Sequence, residues 1–402
     1  MELDPARPEA TRRQTLGELA LVFLRLGTTA FGGPAAHIGM MEDEFVRRRR
    51  WLTHEQFLDM LGAVNLIPGP NSTEMAIYVG YLRAGWMGLA LAGVCFILPA
   101  MALVTAIAWA YVHFGTLPQI AGPLYGVKPV VIAVILQALW GLGRRAIKTR
   151  LLAVVAAGAI TANLLGADLI SLLLAAGLLV ALQRGLVVER PRAWRPMLLM
   201  LAAVAGLLAV IQIVPRLHVS GSTEFGLWPL FLYFIKVGSV LYGTGYVLLA
   251  FLQGDLVRNW HWLTMEQLLD ATAVGQVTPG PLFTTATFIG YVTAAPAGEG
   301  LTGAVLATVG IFLPSFLFIA IGAPLFARLR QSARLGAFLD GVNVAAMALM
   351  AVVSVRLGLE AIVDWKTALL AAVSGVLLLR YRVNSAWLVL GGAIAGFVLR
   401  AV

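Results

Sequence analysis

Two cations occupy equivalent places in apolar, helix-forming stretches of this chain. Arg25 and Lys236 each stand two residues before a glycine, and 211 residues separate them. A cation at membrane depth is costly unless it is paired, so such a residue is a functional candidate by default. Two cations related in this way would neutralise a doubly charged anion. The alternatives are side chains that extend to the membrane surface, or ion pairs with carboxylates of the protein.

Two Pro-Gly-Pro motifs interrupt helical sequence at the same offset, at Pro68-Gly69-Pro70 and Pro279-Gly280-Pro281. Proline and glycine break the helical hydrogen-bond ladder, and Asn71 or Ser72 can cap the helix that follows. The N-terminus of a helix carries free N–H groups and binds oxyanions. Two such helix starts that face one midplane cavity would suit a tetrahedral dianion. The alternative is that both motifs only kink packed helices.

Other polar or flexible residues recur near these breaks. Gly32-Gly33-Pro34 interrupts the chain earlier in the first half, and Gly243-Thr244-Gly245 does so in the second half. Asn65 and Gln276 are matched amides that precede the two Pro-Gly-Pro motifs. We expect these residues to bind substrate oxygens or the interrupted backbone.

Glu74 and His37 are candidates for carrying a coupling proton. Glu74 follows the first Pro-Gly-Pro motif, and a carboxyl group that is removed from water can take up a proton. Pairing with Arg25 or Arg83 is its alternative role. His37 follows Gly33-Pro34 and is of a type that titrates near neutrality, although a single histidine also serves as a structural hydrogen-bonding group.

Lys128 is a third coupling candidate, ranked below Arg25 because the equivalent residue, Asn343, is uncharged. The repeated W-L-T-x-E-Q motifs predict helix starts in which Thr53 caps the first. Asp59 and Asp270 recur within these motifs, and we interpret the motifs as structural capping.

Composition restricts the class of protein. The 402 residues are 60% hydrophobic and 12% charged, with a mean hydropathy of +0.87, which indicates a polytopic membrane protein rather than a soluble one. The single cysteine, Cys95, excludes an internal disulfide and a cysteine-based metal or redox site. The net charge of +9 follows from Lys and Arg in short loops, as membrane topology requires, so we predict no nucleic-acid binding.

Signatures of catalysis are also lacking in the sequence. There is no Gly-rich ATP loop, no clustered metal-ligand set and no Ser-His-Asp set within one region. We therefore predict no enzymatic activity, no metal and no cofactor, and a protein that gradients rather than ATP must drive. Residues 1–16 are polar, and we expect no signal peptide there.

Apolar runs long enough to cross a bilayer, which takes about 20 residues, predict an all-α polytopic fold. In the first half they cover about residues 84–112, 120–143, 150–166 and 168–184, and a separate span covers about 195–215. In the second half they cover about residues 299–326, 334–356, 365–380 and 385–401. The spans at 150–166 and 168–184 are short and indicate little tilt or a tight hairpin.

The interrupted segments that begin each half are of another kind. Helical runs at 17–31, 35–50, 54–67 and 71–83 are separated by the breaks. Broken backbone at membrane depth survives only where protein or a water-filled cavity satisfies it. We favour re-entrant hairpins, and discontinuous spanning helices are the alternative.

The distribution of basic residues reverses between the halves. Basic loops at 144–150 and 184–195 predict the cytoplasmic side, and the loop at 113–119, without Lys or Arg, predicts the outside. The equivalent of that outer loop, 328–334, carries three arginines. This reversal indicates inverted repeats, which are typical of transporters with a substrate site where the halves meet.

We therefore predict four parts in order: a cytoplasmic N-terminal tail, a first transporter repeat, a linker with one span, and a second, inverted repeat. They cover residues 1–16, 17–184, 185–222 and 223–402. Small-residue patches such as Gly391, Gly392 and Gly396 can pack helices within or between chains, which leaves a homodimer open.

Three long motifs resemble the chromate ion transporter family: F-G-G-P-A-A-H-I-G-M-M at 31–41, W-L at 51–52 and the stretch at 65–85 that contains N-L-I-P-G-P-N-S-T-E. The second-half Y-G-T-G-Y and T-P-G-P are similar to the more divergent repeat of that family. The resemblance covers essentially the whole chain, in the long two-domain form with inverted halves.

The resemblance implies export of chromate from the cytoplasm and chromate resistance, driven chemiosmotically. It implies kinship with sulfate, a tetrahedral dianion like chromate, and a multi-pass place in a bacterial inner membrane. The family motifs fall on Phe31–Pro34 and Pro68–Pro70, and its basic position in the first helix falls on Arg25. Asn65 departs from the expected Gln, which Gln276 retains, and this departure bears on selectivity.

The resulting hypothesis is a carrier whose halves rock around chromate bound near the two breaks, Arg25 and Lys236. Protons, sulfate exchange and membrane potential all remain open as the coupled driving force. A carrier of sulfate or another oxyanion and a passive anion channel are the alternative functions.

Overall fold

The computed structural model describes residues 12–31, 33–114, 118–188, 225–242, 245–322, 333–381 and 383–401. Within these ranges the regular structure is helical and contains no β-strand, which confirms the all-α prediction. The predicted linker span at about 195–215 lies outside the described residues, and so do Gly32, Gly243 and Thr244.

The first half contains seven α-helices in the described residues, α1 to α7. They are α1 (Arg12–Thr29), α2 (Gly33–Glu42), α3 (His54–Val64), α4 (Asn71–Phe114), α5 (Pro118–Ala146), α6 (Arg150–Leu164) and α7 (Leu169–Val188). A π-helical segment, Asp43–Arg48, continues α2.

The second half repeats this series. Its helices are α8 (Leu227–Val240), α9 (Leu248–Phe251), α10 (Met265–Val277), α11 (Thr285–Ala294), α12 (Gly300–Gly322), α13 (Ala333–Ala361), α14 (Trp365–Tyr381) and α15 (Ser385–Ala401). A π-helical segment, Leu252–Asn259, continues α9, as in the first half.

The capped helix starts are confirmed. The Thr53 hydroxyl accepts from the Gln56 amide, and the Gln56 side chain accepts from the Thr53 amide, which forms a capping box at α3. Thr264 and Gln267 form the same box at α10. The two helices that lead into the Pro-Gly-Pro breaks therefore begin in the same way.

Helix α4 is two helices joined at a turn. Ala84 has φ −145° and Gly85 has φ +60°, a left-handed conformation that suits glycine. The predicted boundary between a segment at 71–83 and a span at 84–112 falls on this turn. In the second half, α11 and α12 are likewise separated by a turn at Gly298, which has φ +75°.

Four described helical segments are long and apolar enough to cross a membrane: Asn71–Phe114, Gly122–Arg144, Gly300–Gly322 and Leu335–Ala361. The shorter helices α6 and α7 pack on each other across a turn that contains Gly166. Taken with the composition, these spans identify a polytopic membrane protein.

The two halves exchange contacts reciprocally. Helix α5 packs on α15, and its equivalent, α13, packs on α7, the equivalent of α15. Glycines allow the close approach in both places, because a side chain at Gly126 would clash with the Gly392 carbonyl and one at Gly341 with the Ala176 carbonyl. Gly392 and Gly396 thus pack within the chain, whereas Gly391 borders open space.

The equivalent helices α5 and α13 run in opposite directions. Lys148, just after the end of α5, bonds Asp340 near the start of α13, with 3.1 Å between Nζ and Oδ1. Near the other end, Lys128 of α5 and Glu360 of α13 line one cavity. The hydrophobic core that surrounds these helices draws residues from both halves.

Candidate functional site

Each Pro-Gly-Pro break is bonded to the first helix of the opposite half. The Gly69 amide donates to the Leu241 carbonyl, and the Gly280 amide donates to the Ala30 carbonyl, both at 2.8 Å. Leu241 and Ala30 follow α8 and α1 and are themselves equivalent positions. The breaks therefore lie where the two halves meet, held by a symmetric pair of hydrogen bonds.

Both central glycines are required by geometry. Gly69 has φ +141° and Gly280 has φ +96°, a region that side chains disfavour. A Cβ on Gly69 would meet the Glu74 carboxylate and the Ser315 hydroxyl, and one on Gly280 would lie 2.7 Å from the Ala100 Cβ. The close packing leaves no room for any other residue.

The amides of Asn71 and Ser72 remain at the start of α4. The next two amides of this helix, those of Thr73 and Glu74, donate to the Pro70 carbonyl. Within the part of the chain that the structure describes, the amides of Asn71 and Ser72 have no acceptor. These two N–H groups, rather than that of Gly69, are available to an oxyanion at this helix start.

Glu74 lies directly behind the first break and is fully buried. Its Oε1 accepts from the Ser315 hydroxyl at 3.3 Å, and its Oε2 has no hydrogen-bond partner among the described residues. Arg83 instead places its guanidinium over the Trp51 ring, 4.7 Å from the centroid. Glu74 thus joins the two halves through Ser315 and does not pair with a cation.

His37 links three elements around the same break. Its Nε2 lies 3.0 Å from the Ala30 carbonyl oxygen and its Nδ1 lies 3.3 Å from the Ser72 hydroxyl oxygen, and the ring is buried. A neutral ring that donates from Nε2 and accepts at Nδ1 satisfies both contacts. The Ala30 carbonyl therefore accepts from both His37 and Gly280.

The two predicted cations differ in their surroundings. Lys236 of α8 bonds Asp255, with 3.3 Å between Nζ and Oδ2. The ion-pair alternative therefore describes Lys236. Asp255 is equivalent to Glu44, but Glu44 accepts instead from Arg48 at 3.0 Å and Arg49 at 2.6 Å.

Arg25 opens on a cavity of about 380 Å³, here called the Arg25 cavity. Its lining is Val22, Arg25, Leu26, Thr29, Ala36, Gly39, Met40, Asp43, Glu44 and Arg48. Among the described residues the Arg25 guanidinium has no hydrogen bond or ion pair. Neither Lys236 nor a residue of the two Pro-Gly-Pro motifs lines this cavity.

The matched amides lie beside their breaks in unequal settings. The side-chain nitrogen of Asn71, Nδ2, donates to the side-chain oxygen of Asn65 at 2.5 Å. This hydrogen bond bridges the first break from one helix to the next. Gln276 is buried at the end of α10. Gly33 begins α2 with φ +78°, a conformation in keeping with the predicted interruption there.

Lys128 belongs to a separate cluster that sequence reasoning did not assemble. Its Nζ lies 2.6 Å from the Glu266 Oε1 and 3.7 Å from the Asp270 Oδ1. The Tyr111 hydroxyl donates to the Asp270 Oδ2 at 2.9 Å. In the sequence, Glu266 and Asp270 are accounted for as part of a capped helix start. The one sequence feature that pointed to this cluster was the charge of Lys128, whose equivalent residue is uncharged.

Asp364, in the loop before α14, lies next to this cluster and bonds Tyr125. The Tyr125 hydroxyl donates to the Asp364 Oδ2 at 2.5 Å. This hydrogen bond, with that from the Thr367 backbone amide, holds the pKa of Asp364 below its ordinary value. Tyr125 and Asp364 thereby join α5 to the loop before α14.

Comparisons with known proteins cover nearly the whole chain. Residues 17–207 and 228–397 match the family model described as chromate transporter. A chromate transport protein of Cupriavidus metallidurans is 36% identical over 96% of this chain and 93% of its own length. A probable chromate transport protein of Synechococcus elongatus is 31% identical, over 90% of this chain and 89% of its own length.

A chromate transport protein of Pseudomonas aeruginosa is 34% identical over 83% of this chain and 79% of its own length. No solved structure matches this chain significantly.

Proposed function

This chain belongs to the chromate transporter family, and from that membership we propose that it is a secondary transporter that exports chromate from the cytoplasm. The observation that carries the proposal is the match of both halves, over most of the chain, to proteins that are named for chromate transport. We propose the inner membrane of a bacterium as its location and chromate resistance as its consequence.

We propose that chromate passes from the Arg25 cavity to the interlocked breaks. Arg25 supplies a guanidinium that makes no hydrogen bond or ion pair within the described part of the chain, and the Asn71 and Ser72 backbone amides supply N–H donors. Charge-assisted hydrogen bonds from such donors suit a tetrahedral dianion. The two Pro-Gly-Pro breaks, Lys236 and the matched amides Asn65 and Gln276 complete the proposed path.

We propose alternating access by inverted repeats. The antiparallel course of the equivalent helices α5 and α13 supports an inverted relation between the halves. The reciprocal bonds from Gly69 and Gly280 support a substrate site near the junction, where rocking of one half against the other opens each side in turn.

The membrane potential is a sufficient driving force in the proposed direction. Each elementary charge contributes about 2.3 kcal/mol per 100 mV, so an inside-negative potential favours outward movement of a dianion by about 4.6 kcal/mol per 100 mV. Protons add to this drive if export is coupled to their entry. The buried carboxyl group of Glu74 is the proposed carrier of that proton, with His37, which contacts Ser72 two residues earlier on the same helix, as the second candidate.

Sulfate or a related oxyanion is the second candidate substrate. Its charge and tetrahedral shape match those of chromate. The N–H donors around the break would contact only the oxygen atoms, so they would not distinguish sulfur from chromium at the centre of the ion. A passive anion channel is the alternative mechanism. It differs from a carrier in showing neither saturation nor exchange.

Uptake of radiolabelled chromate into inside-out membrane vesicles tests the proposal, because export then appears as uptake. We expect saturable uptake that excess sulfate inhibits and that Arg25→Ala removes. Arg380→Ala, which removes an exposed arginine at the end of α14, is the matched control and should retain uptake. Uptake no greater than that of vesicles without the protein would exclude chromate as the substrate.

A further inference from the structure

A second cavity is lined by residues of both halves, none of them from a Pro-Gly-Pro motif. It has a volume of about 670 Å³, is here called the Lys128 cavity, and is formed by the ends of α4, α11 and α13 and the starts of α5 and α10. The predicted orientation puts it on the outer face, because Tyr111 and Val112 line it and the sequence that follows them, 113–119, has no Lys or Arg.

Among the described residues that line this cavity, Lys128 is the only cation, against the carboxylates Glu266, Asp270 and Glu360. The Lys128 side chain is 15% exposed and contacts two of these acids, Glu266 and Asp270. An ionised cluster of this composition has an excess of negative charge. It repels a dianion for as long as both acids hold Lys128.

Asp270 can change that balance without disturbing its other contact. Its Oδ2 accepts from the Tyr111 hydroxyl, whereas its Oδ1 is buried, lacks a hydrogen bond and faces only Lys128, at 3.7 Å. A proton on Oδ1 would remove one negative charge and leave the Tyr111 hydrogen bond in place. Lys128 would then keep its ion pair with Glu266 and lose the one with Asp270.

The equivalent place in the first half lacks this arrangement. Glu55 and Asp59 are the counterparts of the two acids and are exposed, and Asn343 stands where Lys128 stands. The capped helix start is common to both halves, so capping does not account for the burial of Asp270 or for its contact with Lys128 of the opposite half. The cluster therefore calls for a role of its own.

We propose that Lys128 is a second anion-binding residue on the exit side of the path, and that Asp270 is the positioning residue that releases it when a proton binds. The proposal rests on the transport function proposed above. With Asp270 ionised, Lys128 is held and the exit is closed to a dianion. With Asp270 protonated, Lys128 is held by Glu266 alone and can turn its second contact to the departing oxyanion, and loss of the proton restores the ion pair with Asp270.

Among the described residues, five other titratable groups line the cavity with Asp270. They are Tyr111 from α4, Tyr125 and Lys128 from α5, Glu266 from its own helix and Glu360 from α13. Tyr125 is engaged by Asp364. Glu360 lines the cavity outside ion-pair distance of Lys128, so Glu360→Gln is a matched control that removes the same charge without touching the pair.

The first measurement is chromate transport in inside-out vesicles, whose lumen bathes the Lys128 cavity, as the pH is varied between about pH 6 and pH 8 and kept equal on both sides of the membrane so that no gradient acts through Glu74. Transport by the wild-type protein should rise several-fold as that pH falls. Asp270→Asn, which keeps the shape and cannot ionise, should give a flat profile. Glu360→Gln should keep the wild-type profile, and the same slope in Asp270→Asn as in the wild type would overturn the proposal.

The second measurement does not depend on the transported ion. Leu124→Cys places a thiol in the Lys128 cavity in a Cys95→Ser background, and its labelling rate by a membrane-impermeant maleimide reports access to the cavity. Because thiol reactivity itself depends on pH, each rate is divided by that of the same protein carrying Asp270→Asn. The ratio should fall several-fold between about pH 6 and pH 8.

The two measurements separate the two claims. Absence of chromate transport together with a pH-dependent labelling ratio would reject chromate export and retain the release of Lys128 by a proton. Chromate transport together with a labelling ratio that does not change with pH would retain chromate export and reject the release of Lys128 by a proton.

Discussion

At the residue scale, Arg25 and Lys236 are equivalent in sequence but not in their contacts. Lys236 is bonded to Asp255, whereas the matching acid, Glu44, is engaged by Arg48 and Arg49. The extra arginines of the first half thus occupy the hydrogen-bonding atoms of Glu44, and Arg25 acts on that carboxylate only as a nearby charge. We infer that Arg25 serves the anion and that Lys236 first serves the structure.

Arg25→Gln should raise the chromate concentration for half-maximal transport by roughly tenfold or more, because a hydrogen bond to a charged group contributes about 1.5–3 kcal/mol. Thermal unfolding of the purified protein should change little. Transport kinetics and unfolding temperature in the same preparations check this. An unchanged half-saturating concentration would remove Arg25 from the path.

Lys236→Gln should lower the stability of the fold, in contrast to Arg25→Gln, which should mainly weaken chromate binding. It leaves the mostly buried Asp255 without its cation, which should destabilise the fold by about 1–3 kcal/mol. The double variant Lys236→Gln/Asp255→Asn should recover much of that loss, as measured by thermal unfolding. Equal stability of the single and double variants would show that the pair does not contribute.

Glu74→Gln should abolish stimulation of transport by a pH gradient while retaining transport driven by membrane potential. The substitution keeps the shape of a fully buried side chain and its contact with Ser315 but cannot carry a proton. Vesicle uptake under separately imposed pH and electrical gradients distinguishes the two. Undiminished stimulation by the pH gradient would exclude Glu74 as the proton carrier.

At the element scale, the helix breaks are built into the packing between the halves. Gly69 and Gly280 each donate across to the opposite half, and each sits where a side chain would clash. The carbonyls of Leu241 and Ala30, left free where α8 and α1 end, are satisfied by these bonds. The breaks are therefore fixed joints between the halves as well as candidate binding elements.

Gly69→Ala should destabilise the protein by about 2–6 kcal/mol, the sum of backbone strain at positive φ and overpacking against Glu74 and Ser315. Gly17→Ala is the control, because Gly17 lies within α1 with open space around it and alanine there should stabilise by about 0.5–1 kcal/mol. Unfolding of both variants in detergent measures the difference. Equal effects at the two positions would contradict the packing account.

Most element boundaries followed from the sequence, because long apolar runs, proline and glycine leave few choices. The predicted span at 385–401 coincides with α15, and the predicted capping at Thr53 is present. The contacts between halves did not follow. The partners Gly69 and Leu241, or Lys128 and Asp270, are distant in the chain, and no local rule selects one partner among many polar candidates.

At the scale of the whole molecule, two equivalent halves form one core with reciprocal contacts. Helices α5 and α13 are antiparallel, and each packs on the last described helix of the other half. The asymmetry lies in the charged residues. Arg25 makes no ion pair within the described residues, whereas Lys236 does. Lys128 meets the exposed Glu266 and the buried Asp270 of the other half. We infer that the duplicated helices form the common core, and that the charged residues found in only one half make the two sides of the transport path different.

Equivalent loops should be accessible from opposite sides of the membrane. Leu165→Cys and Tyr381→Cys, each in a Cys95→Ser background, place single thiols at exposed positions after α6 and at the end of α14. A membrane-impermeant maleimide should label Leu165→Cys in intact cells and Tyr381→Cys only after permeabilisation. Labelling of both from one side would contradict the inverted arrangement.

Counterflow in proteoliposomes tests the central claim, that this protein is a carrier of chromate. Vesicles that contain the purified protein are loaded with unlabelled chromate and diluted into a trace of radiolabelled chromate. We predict transient accumulation of the label above its external concentration, reduced by sulfate and by Arg25→Gln but not by Arg380→Ala. Entry of the label that neither saturates nor exceeds the external concentration would contradict the account and identify a channel.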